Sequence, residues 1–157
     1  MTQERKQFQR TEDGHLILMS NEERNLLITD LTARLKYGVI CLVERVDDFG
    51  PIHRDEKLTG FSFDDRGDFC FEVGGGLDIS FAEKIMPYLR PMSSMTEEEA
   101  IEVSGRIIHS SVSSRGFVWV DDCSAYIDWL NAHHFDYRGL IEKGLALEAP
   151  EDMYKTE

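Results

Sequence analysis

Lysine and arginine are scarce in this chain: 17 of them stand against 30 aspartates and glutamates among 157 residues, a formal net charge of -13. Binding to a phosphate backbone draws most of its energy from basic side chains that displace counterions, so this deficit argues against a nucleic-acid ligand. Cysteine is scarce too. Cys41, Cys70 and Cys123 are odd in number, far apart and free of any C-x-x-C spacing, which excludes a disulfide framework and a cysteine zinc site; Cys41 and Cys70 fall in apolar runs and read as small core residues. Long apolar runs are missing. The polar start leads only to the four-residue patch at 16–19, too short for a signal-peptide core or a membrane span, so the expectation is a cytoplasmic protein without membrane contact. There is no H-E-x-x-H, no P-loop ending after Gly74-Gly75-Gly76, no internal repeat and no low-complexity linker, and no cofactor is implied.

What is present is an ordinary globular composition, 41% hydrophobic and 30% charged. A chain of this length buries roughly 70% of its unfolded surface and needs no metal or disulfide to stay folded. The pattern suggests one domain at 16–150, between a loose N-terminus at 1–15 and a C-terminal tail at 151–157.

Ser20 and Glu23 have capping-box spacing, and Leu27, Ile28, Leu31 and Leu35 follow at helical intervals, so 21–35 reads as a helix stopped at Gly38. The β-branched run at 39–44 reads as a strand, the polar stretch 47–56 as a loop, and 57–63 as a second strand. Asp64-Asp65-Arg66-Gly67 is turn chemistry before 68–73. Pairing Phe63 with Phe69 sets Phe61 opposite Phe71 on the same face, and a slip of one residue would send a pair of rings toward water, so the aromatics define the register. A further strand is expected at 77–81. Pro87 and Pro91 make 86–95 read as a rigid crossing segment. Thr96 and Glu99 repeat the capping-box spacing and open a helix to about 108, the polar run 110–116 reads as a mobile connection, and 117–120 is a strand able to join the sheet. A helix at 124–134 follows, then a short one at 137–143 capped by Asp136, and an apolar segment at 145–149. The expected fold is α+β: a small, mostly antiparallel sheet from 39–81, extended by 117–120, packed with about three helices.

Reactive side chains concentrate at Asp121, Asp122, Cys123, His133, His134, Asp136, Tyr137 and Arg138. Adjacent histidines diverge by about 100° on a helix, so His133 and His134 could bind a metal only with distant ligands; one packed and one solvated histidine is the plainer reading. Cys123 at a helix start could be activated by the dipole, yet two neighbouring aspartates oppose a second anion, and a half-buried structural thiol is the alternative. His15, His53 and His109 have no patterned partners. Trp119, Tyr126, Trp129, Phe135 and Tyr137 suit a core, while Tyr137 beside Arg138 also suits a protein-binding hot spot.

The strings Pro87-Tyr88-Leu89-Arg90-Pro91-Met92-Ser93-Ser94-Met95-Thr96-Glu97-Glu98-Glu99 and Asp128-Trp129-Leu130-Asn131-Ala132-His133-His134-Phe135-Asp136-Tyr137-Arg138-Gly139-Leu140-Ile141 resemble those of uncharacterised small proteins from gut anaerobes and their phages and mobile elements. The likeness spans most of 26–154 and implies a context without a mechanism. Three functions follow as expectations: an accessory protein that binds a host or phage protein through His133, His134, Asp136, Tyr137 and Arg138; a small hydrolase or metal enzyme using Cys123, His133 and Asp136; or an acidic mimic of nucleic acid.

Overall fold

A computed structural model describes residues 12, 19–74, 78–106, 108–112 and 118–155, the strands at 78–80, 108–112 and 118–122 by their backbone alone. The expectations for 1–11, 13–18, Gly75, Gly76 and 113–117 lie outside the described residues. The fold is α+β, with three helices and a mostly antiparallel sheet.

Helix α1, Asn21–Arg34, begins where Ser20 Oγ accepts the Glu23 amide at 3.1 Å, and its last turn tightens through a 3-10 turn, Leu35–Tyr37, into Gly38 at φ 69°. Leu27 and Leu31 on its inner face are fully buried. They meet Val39, Cys41, Val43, Leu58, Phe71, Val73, Ile85 and Leu89 of the sheet, each leucine contributing about 1.5–3 kcal/mol by leaving water. A second, smaller cluster joins α2 (Glu97–Ser104) to α3 (Ser124–Ala132) through Val103, Trp129, Leu130 and Phe135. Thr96 and Glu99 close the full capping box that the spacing predicts for α2.

The sheet is built on a hairpin of β1 (Ile40–Asp47) and β2 (Gly50–Phe63), followed by β3 (Phe69–Val73) and the short β4 (Asp78–Ser80), all antiparallel. The β2–β3 register is the expected one, Phe61 opposite Phe71 and Phe63 opposite Phe69. Asp64 Oδ1 accepts the amides of Arg66 and Asp68 to form the turn, with Gly67 at φ 81°. Strand β5 (Ile85–Pro91) pairs antiparallel with β1 and carries β8 (Phe135–Asp136) and β9 (Leu147–Glu148) in parallel.

Five expectations are corrected. The stretch 47–56 is no loop but the turn and first half of β2; residues 44–47 and 50–53 pair with each other and, among the described residues, with no third strand, so polar side chains on both faces hide the strand. The proline-bearing segment is a central strand rather than a crossing. Amide and carbonyl groups alternate sides along a strand, and β1 bonds on the side of Met86 and Tyr88, so the missing N–H of Pro87 faces away from β1. Helix α2 ends at Ser104, before Gly105, and 108–112 is strand β6, paired with β7 (Val118–Asp122) in a separate two-stranded sheet, so the expected strand at 117–120 does not extend the main sheet. Residues 137–143 form turns and no helix.

Candidate functional site

The end of α3 turns into β8 through His134, whose φ of 62° is a left-handed value that few non-glycine residues adopt. Its carbonyl accepts the Arg90 amide at 2.7 Å, which docks the turn onto β5. The His134 ring is buried, stacked on Tyr154 at 3.6 Å, and its Nδ1 has no hydrogen-bond partner. Burial, helped by the charge of Arg34 and the proximity of His133 and Arg90, pushes its pKa down to about 4, so the ring is neutral near pH 7.

His133 does not share that environment. Its ring stacks on Trp129 at 3.8 Å and its Nδ1 lies 2.9 Å from the Trp129 carbonyl oxygen. Asp136 is buried, and its two carboxylate oxygens accept the amides of Leu140 and Ile141 at 2.8 and 2.9 Å. The expected cap is thus present, though it holds a turn rather than a helix.

Tyr137 and Arg138 belong to a buried ionic cluster that pattern reading missed. On the inner face of α1, the Arg34 guanidinium binds both carboxylate oxygens of Asp30, at 2.8 and 3.0 Å, and donates to the Phe135 carbonyl at 2.6 Å; Asp30 and Arg34 are both fully buried. Arg138 Nη1 donates to Asp30 Oδ1 at 2.9 Å. The Tyr137 ring lies 5.3 Å from the Arg34 guanidinium carbon and 4.6 Å from that of Arg138, and its hydroxyl donates to Asn131 Oδ1 at 2.8 Å. Beside it, Arg90 binds Glu99 bidentately at 2.8 Å and lies 4.1 Å over the Phe135 ring, tying α2 to the sheet. The Arg90 hydrogen bonds hold the Glu99 carboxyl down at about 2.

The five residues expected to present a surface therefore sit close together: His134 and Asp136 are buried, Tyr137 and Arg138 bond inward to Asn131 and Asp30 while half-buried themselves, and His133 is half-buried against Trp129. Cys123 is exposed just before the first turn of α3, while His133 follows its last; ten residues of helical rise separate their backbones by about 15 Å. Proton transfer requires hydrogen-bond reach, so this thiol and this imidazole share no site. Among the described residues, no three His, Cys, Asp or Glu side chains converge to hold a metal ion. Asp121, Asp122 and Trp119 are described by backbone only.

Exposed apolar groups gather elsewhere. In the β1–β2 hairpin, Asp47 pairs with Gly50 across a two-residue turn, Asp48-Phe49, and Asp47 Oδ1 accepts the Phe49 amide at 2.8 Å. Phe49 at the tip is 98% exposed and Val46 beside it 68%. A large ring so fully in water is the informative exception to ordinary burial, and no periodicity marks it because it sits in a polar turn. No protein-family model, curated protein or solved structure matches the chain.

Proposed function

We propose that the chain is a non-enzymatic accessory protein of a phage or mobile element, acting in the cytoplasm by binding another protein. The observation that carries this reading is the two-stranded arm ending in Phe49: it projects beyond the strands that pair with β3 and β5, and offers a ring with no role in the core. An exposed aromatic anchor framed by Asp47 and Asp48 suits an apolar pocket with a basic rim, and the net charge of -13 favours encounter with such a surface. The genomic context rests on the strings at 87–99 and 128–141. No helix among the described residues is long and apolar enough to cross a membrane.

The arm also makes a cleaner test than 133–138, where Tyr137→Ala or Arg138→Ala would disturb the buried cluster together with any interface. Phe49→Ser should leave unfolding stability within about 0.5 kcal/mol, as exposed positions do. Affinity purification from the source cell, followed by titration of the purified partner, should show roughly thirtyfold weaker binding by the variant, the loss of one hot-spot side chain. Equal affinity for wild type and variant would remove the arm from the interface.

A further inference from the structure

The larger hydrophobic cluster ends at Leu145 and Ala146, and of the next nine residues, 147–155, none is buried. This strap is held on the sheet at few points. Leu147 and Glu148 pair in parallel with Tyr88 and Leu89, and the Ala149 amide donates to the Leu89 carbonyl at 2.8 Å. The Tyr154 hydroxyl donates to the Tyr88 carbonyl at 2.7 Å and accepts the Ile40 amide at 2.9 Å, while its ring stacks on His134 at 3.6 Å.

The two sides of that stack are fixed unequally. The His134 amide donates to the Asn131 carbonyl at 3.1 Å and its carbonyl accepts the Arg90 amide at 2.7 Å, so the backbone of the turn is anchored, whereas the buried ring offers Nδ1 to no partner. Positive charge surrounds that ring. Arg34 of α1, Arg90 of β5 and His133 of the same turn all bear on it. The acids of this neighbourhood are already engaged: Asp30 by Arg34 and Arg138, Glu99 by Arg90, and Asp136 by the amides of Leu140 and Ile141. On the strap, Glu151 and Asp152 pair with Lys155. Burial raises the Tyr154 phenol, and the Cys41 thiol of β1, above their usual ranges, so both are neutral. A second proton on His134 would therefore set an imidazolium beside two arginines in a dry site, and a cation–π contact with Tyr154 is weaker than the lost hydration of a buried ion.

We propose that the strap 147–155 is an acid-sensitive latch: protonation of His134 lifts Tyr154 and the strap from the sheet while α1 and the core stay folded. The turn stays docked through Arg90, and lifting the strap opens one face of the His134 ring to water, so the open form takes up the proton. Because the folded pKa is lowered from 6.5 to about 4, the free energy of closure is complete above pH 6.5 and is lost as pH falls through that window. Opening releases the Ile40 amide and the carbonyls of Tyr88 and Leu89. The inference is independent of the arm at Phe49.

The test is amide hydrogen exchange on the full chain from pH 7.5 to 4, each rate corrected for its intrinsic pH dependence. Ile40 and Ala149 report on the latch, and Leu31 on α1. Protection at Ile40 and Ala149 should lie below that at Leu31 throughout and should fall by about a hundredfold across the range, as a group whose pKa moves from about 4 to 6.5 on opening requires. His134→Asn, which tolerates the left-handed turn, should abolish most of that fall. Equal protection at all three amides overturns the proposal, since the strap would then leave only with the whole fold. So does a fall that His134→Asn retains. Should the variant fail to fold, wild-type NMR decides: the His134 and Tyr154 ring signals must titrate together while the Leu31 methyls keep their positions, and titration of His134 with Tyr154 unmoved overturns the latch.

Discussion

Arg34 is the largest fully buried side chain among the described residues, and its placement on the inner face of α1 reverses what an i, i+4 Asp–Arg pair ordinarily does on a helix surface. Two charges withdrawn from water must regain that solvation from partners, and here Asp30, the Phe135 carbonyl and Arg138 supply most of it, although Arg34 Nη1 has none. Removing Arg34 leaves the fully buried Asp30 carboxylate with Arg138 as its one ionic partner among the described residues and one oxygen uncompensated. Arg34→Met should therefore lower unfolding stability by about 3–5 kcal/mol, read from the urea midpoint. Adding Asp30→Leu to it should restore part of the loss, because a well-packed apolar pair carries no desolvation penalty; the restoration stays partial since Arg138 loses its acceptor. If the double variant is no more stable than Arg34→Met alone, the loss comes from packing and not from the buried charge. None of this is legible in the pattern, because an Asp and an Arg four residues apart have the same spacing on an exposed face of a helix as on a buried one.

Among the elements, β5 changes partners midway. It pairs with β1 through Pro87, and from Arg90 with β8, and at Tyr88 between them neither strand is in register. The Tyr154 hydroxyl fills that gap, donating to the Tyr88 carbonyl at 2.7 Å and accepting the Ile40 amide at 2.9 Å. A tail, as 151–157 reads in the sequence, is here a clamp for the sheet. Burial raises the Tyr154 phenol well above its usual range, so it stays protonated and able to donate. Tyr154→Phe strands a buried amide and carbonyl and should cost about 1–3 kcal/mol, with amide exchange quickening at Ile40. Unchanged exchange at Ile40 would mean that water replaces the hydroxyl. Strands that bury one face are legible: the phenylalanines place the β2–β3 register because a slip exposes rings. Strands in the arm escape reading because both faces meet solvent, and β5 escapes because its prolines sit where no amide is required. Sequence pattern also places 133–138 as a concentration of chemistry, but not the bond from Arg138 to Asp30 or that from Arg34 to the Phe135 carbonyl, which depend on α1 arriving from a hundred residues away.

Across the whole molecule, stability should depend on acid in two stages. The folded pKa of His134 is depressed to about 4 from 6.5, so its contribution is complete above pH 6.5 and is lost as pH falls, because the unfolded chain takes up a proton that the folded one refuses. The loss runs at about 1.4 kcal/mol per pH unit and reaches on the order of 3 kcal/mol by pH 4. Glu99, held at about 2 by Arg90, adds a second loss that starts near pH 4.5. Urea titrations from pH 7.5 to 3 should show both, and His134→Gln should flatten the curve between 6.5 and 4 while keeping the decline below it. A slope unchanged by that substitution would assign the upper stage to other groups. The clamp at Tyr154 bears also on the order of synthesis. The contacts that seat the middle of the sheet join residue 40 to 154 and residue 34 to 135, so a growing chain can form α1 with its Asp30–Arg34 pair and the first hairpins early, yet must leave the Ile40 amide without Tyr154 and the Arg34 guanidinium without the Phe135 carbonyl until those residues have been made. Such long-range closure slows folding and lengthens the time in which unpaired strand edges are open to chaperones or to aggregation.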